Sequence, residues 1–351
     1  MPHLWALAFN KENGGIMANY GIPYMGSKSK IADFVLSHIP AAENFYDLFG
    51  GGFSITHAAM LKNKWNSFHF NEIKGDVVDL IKDSIAGKYN YEVFKPEFIK
   101  REMFESRKNN CAYTRVIWSF ANNQRDYLFC KDIEKRKDSL HNAVIHNIFD
   151  ETAVDLLDFN CWPHDLFEIK ERRLFIRKKV RDKLGLDAPE KLQQLQQLER
   201  LQQLEKLQRL EQLERLQQLE QLERLEQLER LELTSLSYDE VVINQKSVVY
   251  CDIPYNGTRG YGSEFDHQAF YKWALTSKHP IFISEYNMPD GFFEIASISK
   301  QQKLSPKNRR EFVEKIFVNR PGLELLNKID KNDELNPKQI GFRASEPRGR
   351  R

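Results

Sequence analysis

Cysteine is scarce in this sequence, with four residues in a chain of 351. They stand at positions 111, 130, 161 and 251, and no two of them form a C-x-x-C pair. This spacing argues against a cysteine-ligated zinc site and a disulfide framework, so we expect reduced thiols, no metal and a cytoplasmic protein. No apolar run approaches the length of a membrane span, and residues 1–10 lack the basic start and cleavage site of a signal peptide. We therefore expect no association with a membrane.

The net charge is also low, at +2, but it is spread unevenly. Residues 300–351 contain 14 Lys or Arg against 7 Asp or Glu. Within them, the stretch from Lys300 to Arg310 either follows nucleic-acid phosphates or forms a solvated basic face. The segment 327–351 has the polar composition of a disordered tail. At the other end, residues 1–18 are interpreted as a leader outside the fold.

The most informative motif follows a run of β-forming residues at 248–251 and consists of Asp252, Ile253, Pro254 and Tyr255. The exocyclic amine of a nucleobase is a poor nucleophile, because its lone pair is delocalised into the ring. The Asp252 carboxylate and the Ile253 carbonyl can accept its two hydrogens and draw the lone pair out of conjugation. Tyr255 offers a flat face to an extruded base, and Pro254 stiffens the turn. Taken alone, the tetrapeptide is equally compatible with an ordinary strand that ends in a proline turn.

A glycine turn lies upstream of this motif. Residues 44–48 have the pattern of a buried strand, which breaks at Gly50, Gly51 and Gly52 before a helix begins. A second apolar run ends at Glu72, 20 residues after Gly52, where a carboxylate can bind both hydroxyls of a ribose. The glycines alone are as typical of a tight structural turn. Their joint spacing with Glu72 and the later Asp-x-Pro-Tyr motif favours a dinucleotide-type cofactor site.

Four blocks of the chain resemble the Dam-like, adenine-specific DNA methyltransferases that use S-adenosylmethionine. The blocks are residues 23–31, the glycine turn with Asp47, the strand end at Glu72, and residues 252–255. The first is similar to the family's Pro-Tyr-x-Gly-x-Lys motif and the last to Asp-Pro-Pro-Tyr, with Ile253 in place of a proline. The likeness covers about residues 19–190 and 233–325.

The resemblance implies roles for individual residues. Tyr24 and Lys28 would lie against the methionine end of the cofactor, where the ammonium of Lys28 can pair with a carboxylate. By resemblance, the cofactor-binding residues are Tyr24, Lys28, Asp47, Phe49, Gly50, Gly52, Glu72 and Asp252. The catalytic residues implied in the same way are Asp252, Ile253, Pro254 and Tyr255.

The implied reaction is direct, in-line transfer of a methyl group to the N6 amine of an adenine flipped out of double-stranded DNA. Neither a metal nor an enzyme nucleophile is required. One alternative is the same fold acting on the N4 amine of cytosine, on RNA or on a protein amide. Another is a catalytically idle DNA-binding or scaffolding protein. Restriction-modification is one process in which such a methyltransferase would serve.

Residues 88–190 are rich in charged and aromatic residues and are predicted to read DNA. Their stretch 118–129 combines amides, a guanidinium and aromatic rings, and it resembles a block of the phage and bacterial members of the family. Its alternative interpretation is an Asn-rich loop between core elements. The basic run 170–183 either lies along the DNA backbone or is a solvated face. A glycine-rich loop after Tyr255 either closes over the flipped base or is only a mobile connection. The predicted DNA-binding residues are Asn122, Asn123, Arg125, Arg259 and Tyr261.

Leucine recurs at every third position from Leu192 to Leu231, separated by Gln, Glu, Arg and Lys. These residues favour an α-helix, but a period of three rotates the leucines by about 60° per step and spreads them around the cylinder. We expect a projecting helix of about 60 Å, with a small solenoid as the alternative. The insert has 7 basic and 9 acidic residues over 191–233, which argues against a DNA clamp and favours a spacer, a self-association surface or a neutral expansion.

The expected architecture is an α/β, Rossmann-like methyltransferase with a mixed and mostly parallel sheet. A DNA-recognition lobe precedes the catalytic strand, and the leucine repeat follows the lobe, where it is expected to interrupt a connection rather than the core. The proposed division is leader 1–18, S-adenosylmethionine-binding half 19–87, recognition lobe 88–190, repeat insert 191–232, catalytic half 233–326 and tail 327–351.

Overall fold

The computed structural model describes residues 20–90, 94–157, 166–184, 211–255, 265–305 and 308–335. The strands within these ranges are β1 Ala42–Asp47, β2 Trp65–Asn71, β3 Leu231–Thr234, β4 Ser247–Cys251, β5 Ile281–Glu285, β6 Phe293–Ser305 and β7 Asn308–Val318. The helices are α1 Ala32–Ser37, α2 Ser54–Met60, α3 Gly75–Ile85, α4 Arg101–Arg107, α5 Ala112–Ile117, α6 Lys131–His146, α7 Glu151–Leu157, α8 Ile169–Leu184, α9 Glu211–Leu222, α10 His267–Thr276 and α11 Arg320–Leu335. Short 3₁₀ turns occur at Ser29–Ile31, Phe120–Asn122 and Leu228–Arg230.

All seven strands belong to one sheet, in the order β3-β2-β1-β4-β5-β7-β6. The first five strands in this order, β3, β2, β1, β4 and β5, pair in parallel. Strand β7 pairs antiparallel with both β5 and β6. This confirms the predicted α/β, Rossmann-like fold with a mixed, mostly parallel sheet. Because β1 and β4 are neighbours at the point where the strand order reverses, the residues that follow their carboxyl ends meet in one crevice.

The alternation of side chains along the central strands builds a core on each face of the sheet. Phe45 and Val248 contribute to the larger hydrophobic cluster, whereas their neighbours Tyr46 and Val249 contribute to the smaller one on the other face. Every residue of β4 is buried, as expected for a central parallel strand covered on both sides. The strand that carries Asp252 at its end is therefore rigidly held.

The segment 88–190 forms helices α4 to α8 over its described residues, and these pack onto the cofactor half without a separate core. Trp118, Tyr127 and Phe129 of the predicted DNA-reading block belong to the same hydrophobic cluster as the central strands. The basic run 170–183 was expected to lie along the DNA backbone or to form a solvated face, and both expectations are wrong for Arg172. Its guanidinium is buried and donates to the carbonyl of Val144, at the end of α6, and to that of Phe167, both at 2.6 Å.

The expectation of a projecting repeat helix is wrong for the part of the repeat that the structure describes. Helix α9 packs against α3 and α5, with Leu216, Leu219 and Leu222 fully buried. Three leucines at this spacing cover about 120° of a helix, so a short helix can bury them all on one side. The helix ends after three turns, and Leu231 already belongs to β3, the edge strand of the sheet. The C-terminal part of the repeat is therefore a component of the core, and residues 191–210 lie outside the described residues.

The chain beyond the repeat departs from prediction at its last described helix. Helix α11 continues to Leu335, so the prediction of disorder from residue 327 is wrong for 327–335; Leu323 and Leu326 pack this helix against the core. The expectations for residues 1–18 and 336–351 lie outside the described residues.

The basic stretch predicted to follow phosphates falls in a long hairpin. This hairpin consists of β6 and β7, whose backbones pair from Phe293 opposite Val318 to Ser305 opposite Asn308. Contact with phosphates stays a prediction. No helix in the described part of the chain is long and apolar enough to cross a membrane.

Candidate functional site

A cavity of about 490 Å³ opens at the carboxyl ends of β1, β2 and β4. Its walls bring together residues that are far apart in the chain and that were selected from separate sequence motifs. All eight predicted cofactor residues line it: Tyr24, Lys28, Asp47, Phe49, Gly50, Gly52, Glu72 and Asp252. Pro254 lines it as well, whereas Ile253 and Tyr255 do not. The assembly of these residues in one cavity agrees with their selection, and their individual roles stay predictions.

Close packing requires glycine at the turn between β1 and α2. The N–H of Gly50 donates to the carbonyl of Asn71 at 2.9 Å, which ties the turn to the end of β2. A Cβ atom on Gly50 would lie 2.0 Å from the ring of Phe70, and one on Gly52 would lie 2.5 Å from Cβ of Tyr24. Any side chain at either position would displace a neighbour, so the backbone reaches the cavity wall uncovered.

Asp47 carries an unpaired carboxylate oxygen at the end of β1. Its side chain is 1% exposed, and Oδ2 accepts a hydrogen bond of 2.8 Å from the hydroxyl of Thr56. Oδ1 is buried and has no hydrogen-bond partner among the described residues. Burial raises the pKa of this carboxyl to about 7, against the opposing effect of the Thr56 hydrogen bond. Because such an oxygen is costly to bury unpaired, it marks a place where a ligand can donate.

Glu72 is the second buried carboxylate of the cavity. Its Oε2 accepts from the N–H of Gly51 at 2.9 Å, and its Oε1 accepts from the N–H of Lys74 at 3.2 Å. Burial raises the pKa of this group as well. A carboxylate has about four lone-pair sites, so each oxygen keeps capacity for a further donor. The two backbone bonds fix the carboxylate at the rim of β2 in a position to bind a diol.

Aromatic rings form the wall opposite Glu72. Phe49 stacks on Tyr238 with 5.4 Å between ring centroids, and the edge of Phe265 meets Phe49 at 5.6 Å. Tyr238 and Phe265 also line the cavity. Neither was predicted as a site residue, because no motif includes them and the fold alone brings them beside the glycine turn.

Lys28 lies at the catalytic end of the cavity and is 6% exposed. Its Nζ is 2.7 Å from Oδ1 of Asp252 and 3.4 Å from Oε1 of Glu314, a buried residue of β7. The sequence predicted that this ammonium pairs with a carboxylate of the cofactor. In the structure it bridges two carboxylates of the chain itself, and sequence reasoning missed Glu314 entirely. A glutamate inside an antiparallel strand gives no local signal of a role.

Tyr255 is held by contacts on several sides. Its hydroxyl donates to the Glu314 carboxylate, and the ring of Tyr286 meets its ring at 4.5 Å with a 70° angle between planes. Burial and the negative charges of Asp252 and Glu314 raise the pKa of this phenol, so the tyrosine is neutral. His267 Nε2 lies 2.7 Å from the carbonyl of Pro254, to which it donates.

Ile253, which replaces the proline of the family motif, is accommodated by the fold. Its side chain is 2% exposed and belongs to the smaller hydrophobic cluster, with Val249 and Phe270. The β-branched side chain thus fills core space beneath the motif. The role of its backbone carbonyl as an acceptor stays a prediction.

The predicted DNA-reading block forms a short hairpin, closed by a bridge between Ser119 and Tyr127. We call residues 119–127 the recognition loop. Ala121 and Asn122 adopt left-handed conformations, with φ of 49° and 60°. Such strained backbone is typical of functional loops.

The side chains of the recognition loop are held in different ways. Asn123 accepts hydrogen bonds from the N–H groups of Arg125 and Asp126, both at 2.9 Å. Arg125 is 77% exposed and pairs with Asp126 at 2.8 Å, whereas Oδ1 of Asn122 is buried without a partner among the described residues. Arg259 and Tyr261, the other predicted DNA contacts, lie outside the described residues.

Two arginines connect the recognition loop to the rest of the molecule. Arg115 donates to Gln124 at 3.1 Å and to Asp76 of α3 at 2.6 Å. Arg215 of the repeat helix donates to the carbonyls of Ile117 and Ser119, both at 2.7 Å. Over the described residues, no group of three or more His, Cys, Asp or Glu side chains is arranged to hold a metal ion.

Comparison with known proteins gives one finding for this chain. Residues 24–141 match the family model described as D12 class N6 adenine-specific DNA methyltransferase. The matched range includes the glycine turn, Glu72 and the recognition loop, and it ends before the repeat and Asp252. No curated protein matches the chain.

Proposed function

We propose that this chain, whose residues 24–141 match the model of an adenine-specific DNA methyltransferase family, transfers a methyl group from S-adenosylmethionine to the N6 amine of an adenine flipped out of double-stranded DNA. One observation carries the proposal. A single cavity is lined both by Asp47, whose buried Oδ1 has no hydrogen-bond partner among the described residues, and by the Asp252 carboxylate. The first suits an ammonium group, and the second suits an amine that is to react.

The residues of the cavity fit S-adenosylmethionine. Oδ1 of Asp47 would accept from the amino group of its methionine part, and Glu72 from its ribose hydroxyls. Phe49 and Tyr238 offer apolar faces to a flat ring system. A cavity of about 490 Å³ is in the range that encloses ligands of this size. When bound, S-adenosylmethionine supplies an electrophilic methyl group.

The catalytic end orients the amine. Asp252 and the backbone carbonyl of Ile253 would accept its two N–H groups, which localises the nitrogen lone pair for reaction. Asp252 can hold the proton that the amine loses on methylation, before release to solvent. Pro254 and Tyr255 would contact the flipped base, and the hydrogen bond from His267 to the Pro254 carbonyl fixes the turn. The fold holds both acceptors in the turn that follows β4, and such preorganisation accelerates steps of this kind.

The recognition loop supplies the groups that DNA binding needs. Asn122 and Asn123 have amides suited to base edges, and Arg125 presents a largely exposed guanidinium suited to a phosphate or a guanine. Arg259 and Tyr261 are proposed to contact DNA near the flipped base. The basic hairpin of β6 and β7 adds a surface that can attract phosphates.

The test is methyl transfer from labelled S-adenosylmethionine to unmethylated double-stranded DNA, followed by nucleoside analysis. We expect label in N6-methyladenine, with a loss of about 10²-fold or more in Asp252→Ala, because one of two oriented acceptors is gone. Cofactor binding should persist in that variant. Asp290→Ala, at an exposed carboxylate that does not line the cavity, is the matched control and should keep full turnover.

Two outcomes would contradict the proposal. Near-normal turnover of Asp252→Ala would reject the mechanism. Label in N4-methylcytosine, in RNA or in protein, or intact cofactor binding without any transfer, would reject adenine in DNA as the substrate.

A further inference from the structure

Glu314 is a buried carboxylate on β7 that touches the catalytic end of the cavity without lining it. It is 4% exposed. The next residue in its strand, Lys315, lies opposite Glu285 in the backbone register of β7 and β5. This register places Glu314 just beyond the carboxyl edge of the parallel strands, level with the turn that follows β4. A charge buried this deeply is costly unless it is paired and hydrogen-bonded. Its partners therefore define what it does.

Two partners of Glu314 belong to the reacting end of the site. The hydroxyl of Tyr255 donates to Oε1 of Glu314, and Nζ of Lys28 lies 3.4 Å from the same oxygen. The same ammonium is 2.7 Å from Asp252 and 4.7 Å from the centroid of the Tyr255 ring. The Glu314 carboxylate thus contacts Tyr255, which would hold the base, and Lys28. Lys28 in turn contacts Asp252, the proposed acceptor of the amine.

We infer that Glu314 is a positioning residue for methyl transfer, which acts through Tyr255 and Lys28. The inference rests on the proposed function and adds a residue to it. With its hydroxyl held by Glu314, Tyr255 presents a fixed ring plane before the base enters. Glu314, at 3.4 Å, also draws Lys28 away from Asp252, at 2.7 Å, so the ammonium contacts both carboxylates. Loss of Glu314 leaves the ring free to turn and Lys28 free to shift wholly onto Asp252, and small misplacements of this kind are costly in rate.

The test is a double-mutant cycle with Glu314→Ala and Tyr255→Phe, assayed as kcat and KM for unmethylated DNA and as Kd for S-adenosylmethionine. Tyr255→Phe keeps the ring and removes only the hydroxyl that Glu314 holds. We expect Glu314→Ala to lower kcat roughly 30-fold in the wild-type background and no more than about fivefold in the Tyr255→Phe background. The Kd for S-adenosylmethionine should change by less than about twofold, because Glu314 does not line the cavity.

A conservative variant separates positioning from stability. The amide oxygen of Glu314→Gln can still accept from Tyr255 but cannot pair with Lys28, so we expect partial rescue, with kcat between those of the wild type and Glu314→Ala. If Glu314→Ala does not fold, the cycle pairs Glu314→Gln with Lys28→Met, because the amide loses only its ion pair with Lys28, and a smaller cost of Glu314→Gln is expected in the Lys28→Met background. Glu294→Gln, which loses a half-exposed pair with Lys315 on the same hairpin, is the control and should leave kcat unchanged.

Equal costs of the Glu314 substitution in both backgrounds would overturn the inference, as would a change in stability with no change in kcat. Wild-type protein that transfers no label to DNA would overturn the proposed function and this inference together. Transfer by the wild type with independent costs in the cycle would overturn the inference alone.

Discussion

The glycine turn of the cavity and the recognition loop both contain residues with positive φ, but they are held in place differently. The turn is hydrogen-bonded to Asn71 and Glu72, each 21 residues after its partner in the turn. The recognition loop is fastened by Lys108 and Arg115 from its own lobe and by Arg215, whose partner Ser119 is 96 residues earlier. A site whose support is local is visible in a short motif, whereas a site supported from a distance is not.

This difference changes the meaning of the leucine repeat. A spacer would contact nothing, and a self-association surface would leave its leucines exposed. Instead, Leu216, Leu219 and Leu222 are buried against the core, and Arg215 binds backbone that enters the recognition loop. The described end of the repeat therefore supports the segment proposed to read DNA.

The largest effect should come from a methyl group added to the glycine turn. In Gly50→Ala the new Cβ would lie 2.0 Å from the ring of Phe70, which is itself fully buried. Overpacking of this kind costs about 3 kcal/mol, and the displaced turn should abolish cofactor binding. Gly51→Ala is the matched control, since its Cβ meets only the Tyr24 ring, at 3.2 Å, and its φ of 49° costs about 1–2 kcal/mol. Denaturant unfolding and calorimetric titration with S-adenosylmethionine measure both effects, and equal losses in the two variants would contradict the packing argument.

A smaller effect is expected from the protonation of Asp47. Its folded-state pKa of about 7 lies above the ordinary 3.8, so the native state holds this proton more tightly than the unfolded chain. The carboxyl therefore stabilises the fold fully below pH 3.8, and this contribution is lost as the pH rises through 7.

Binding of an ammonium group to Asp47 requires the charged form, so cofactor affinity should change in the opposite direction. We expect it to rise about tenfold per pH unit up to pH 7 and then level off. Titration calorimetry between pH 5 and 9 checks this, with Asp47→Asn as the control that should bind weakly and lose this dependence. A flat profile for the wild type would show that Asp47 does not bind the ammonium.

A smaller effect still is expected at the support of the recognition loop. Arg215→Met removes hydrogen bonds to the carbonyls of Ile117 and Ser119, which should cost about 2 kcal/mol and raise KM for DNA roughly fivefold. Arg224→Met is the matched control, because Arg224 is 70% exposed and only pairs with Glu220 at 3.8 Å. Unfolding and steady-state kinetics on both variants measure the difference. An unchanged KM in Arg215→Met would show that the recognition loop keeps its shape without the repeat.

The sequence predicted the grouping of site residues where a chemical motif stands at the end of a predicted parallel strand. Gly50, Glu72 and Asp252 could be placed together, because each ends or follows a parallel strand and such ends meet at one edge of a sheet. Glu314 and Tyr238 could not, since their importance depends on which strand or turn the fold brings beside the cavity.

The repeat was misjudged for a related reason. Its period of three was extrapolated as an indefinite helix, and this leaves no common face for the leucines. The structure instead ends α9 after three turns and enters the edge strand β3. Period alone does not state where a helix stops, and here tertiary packing decides it.

Arg125→Ala should have the smallest effect on stability. It should also separate DNA binding by the recognition loop from the structural support of that loop. The guanidinium of Arg125 is 77% exposed and contacts only its neighbour Asp126 among the ion pairs of the described residues, so its removal should leave the melting temperature unchanged. If it binds a phosphate, the slope of log affinity for DNA against log salt concentration should fall by about 1. If it binds a guanine, affinity should fall mainly for the cognate sequence. Fluorescence anisotropy with cognate and scrambled duplexes at several salt concentrations distinguishes these results, and an unchanged affinity for both duplexes would remove Arg125 from the DNA interface.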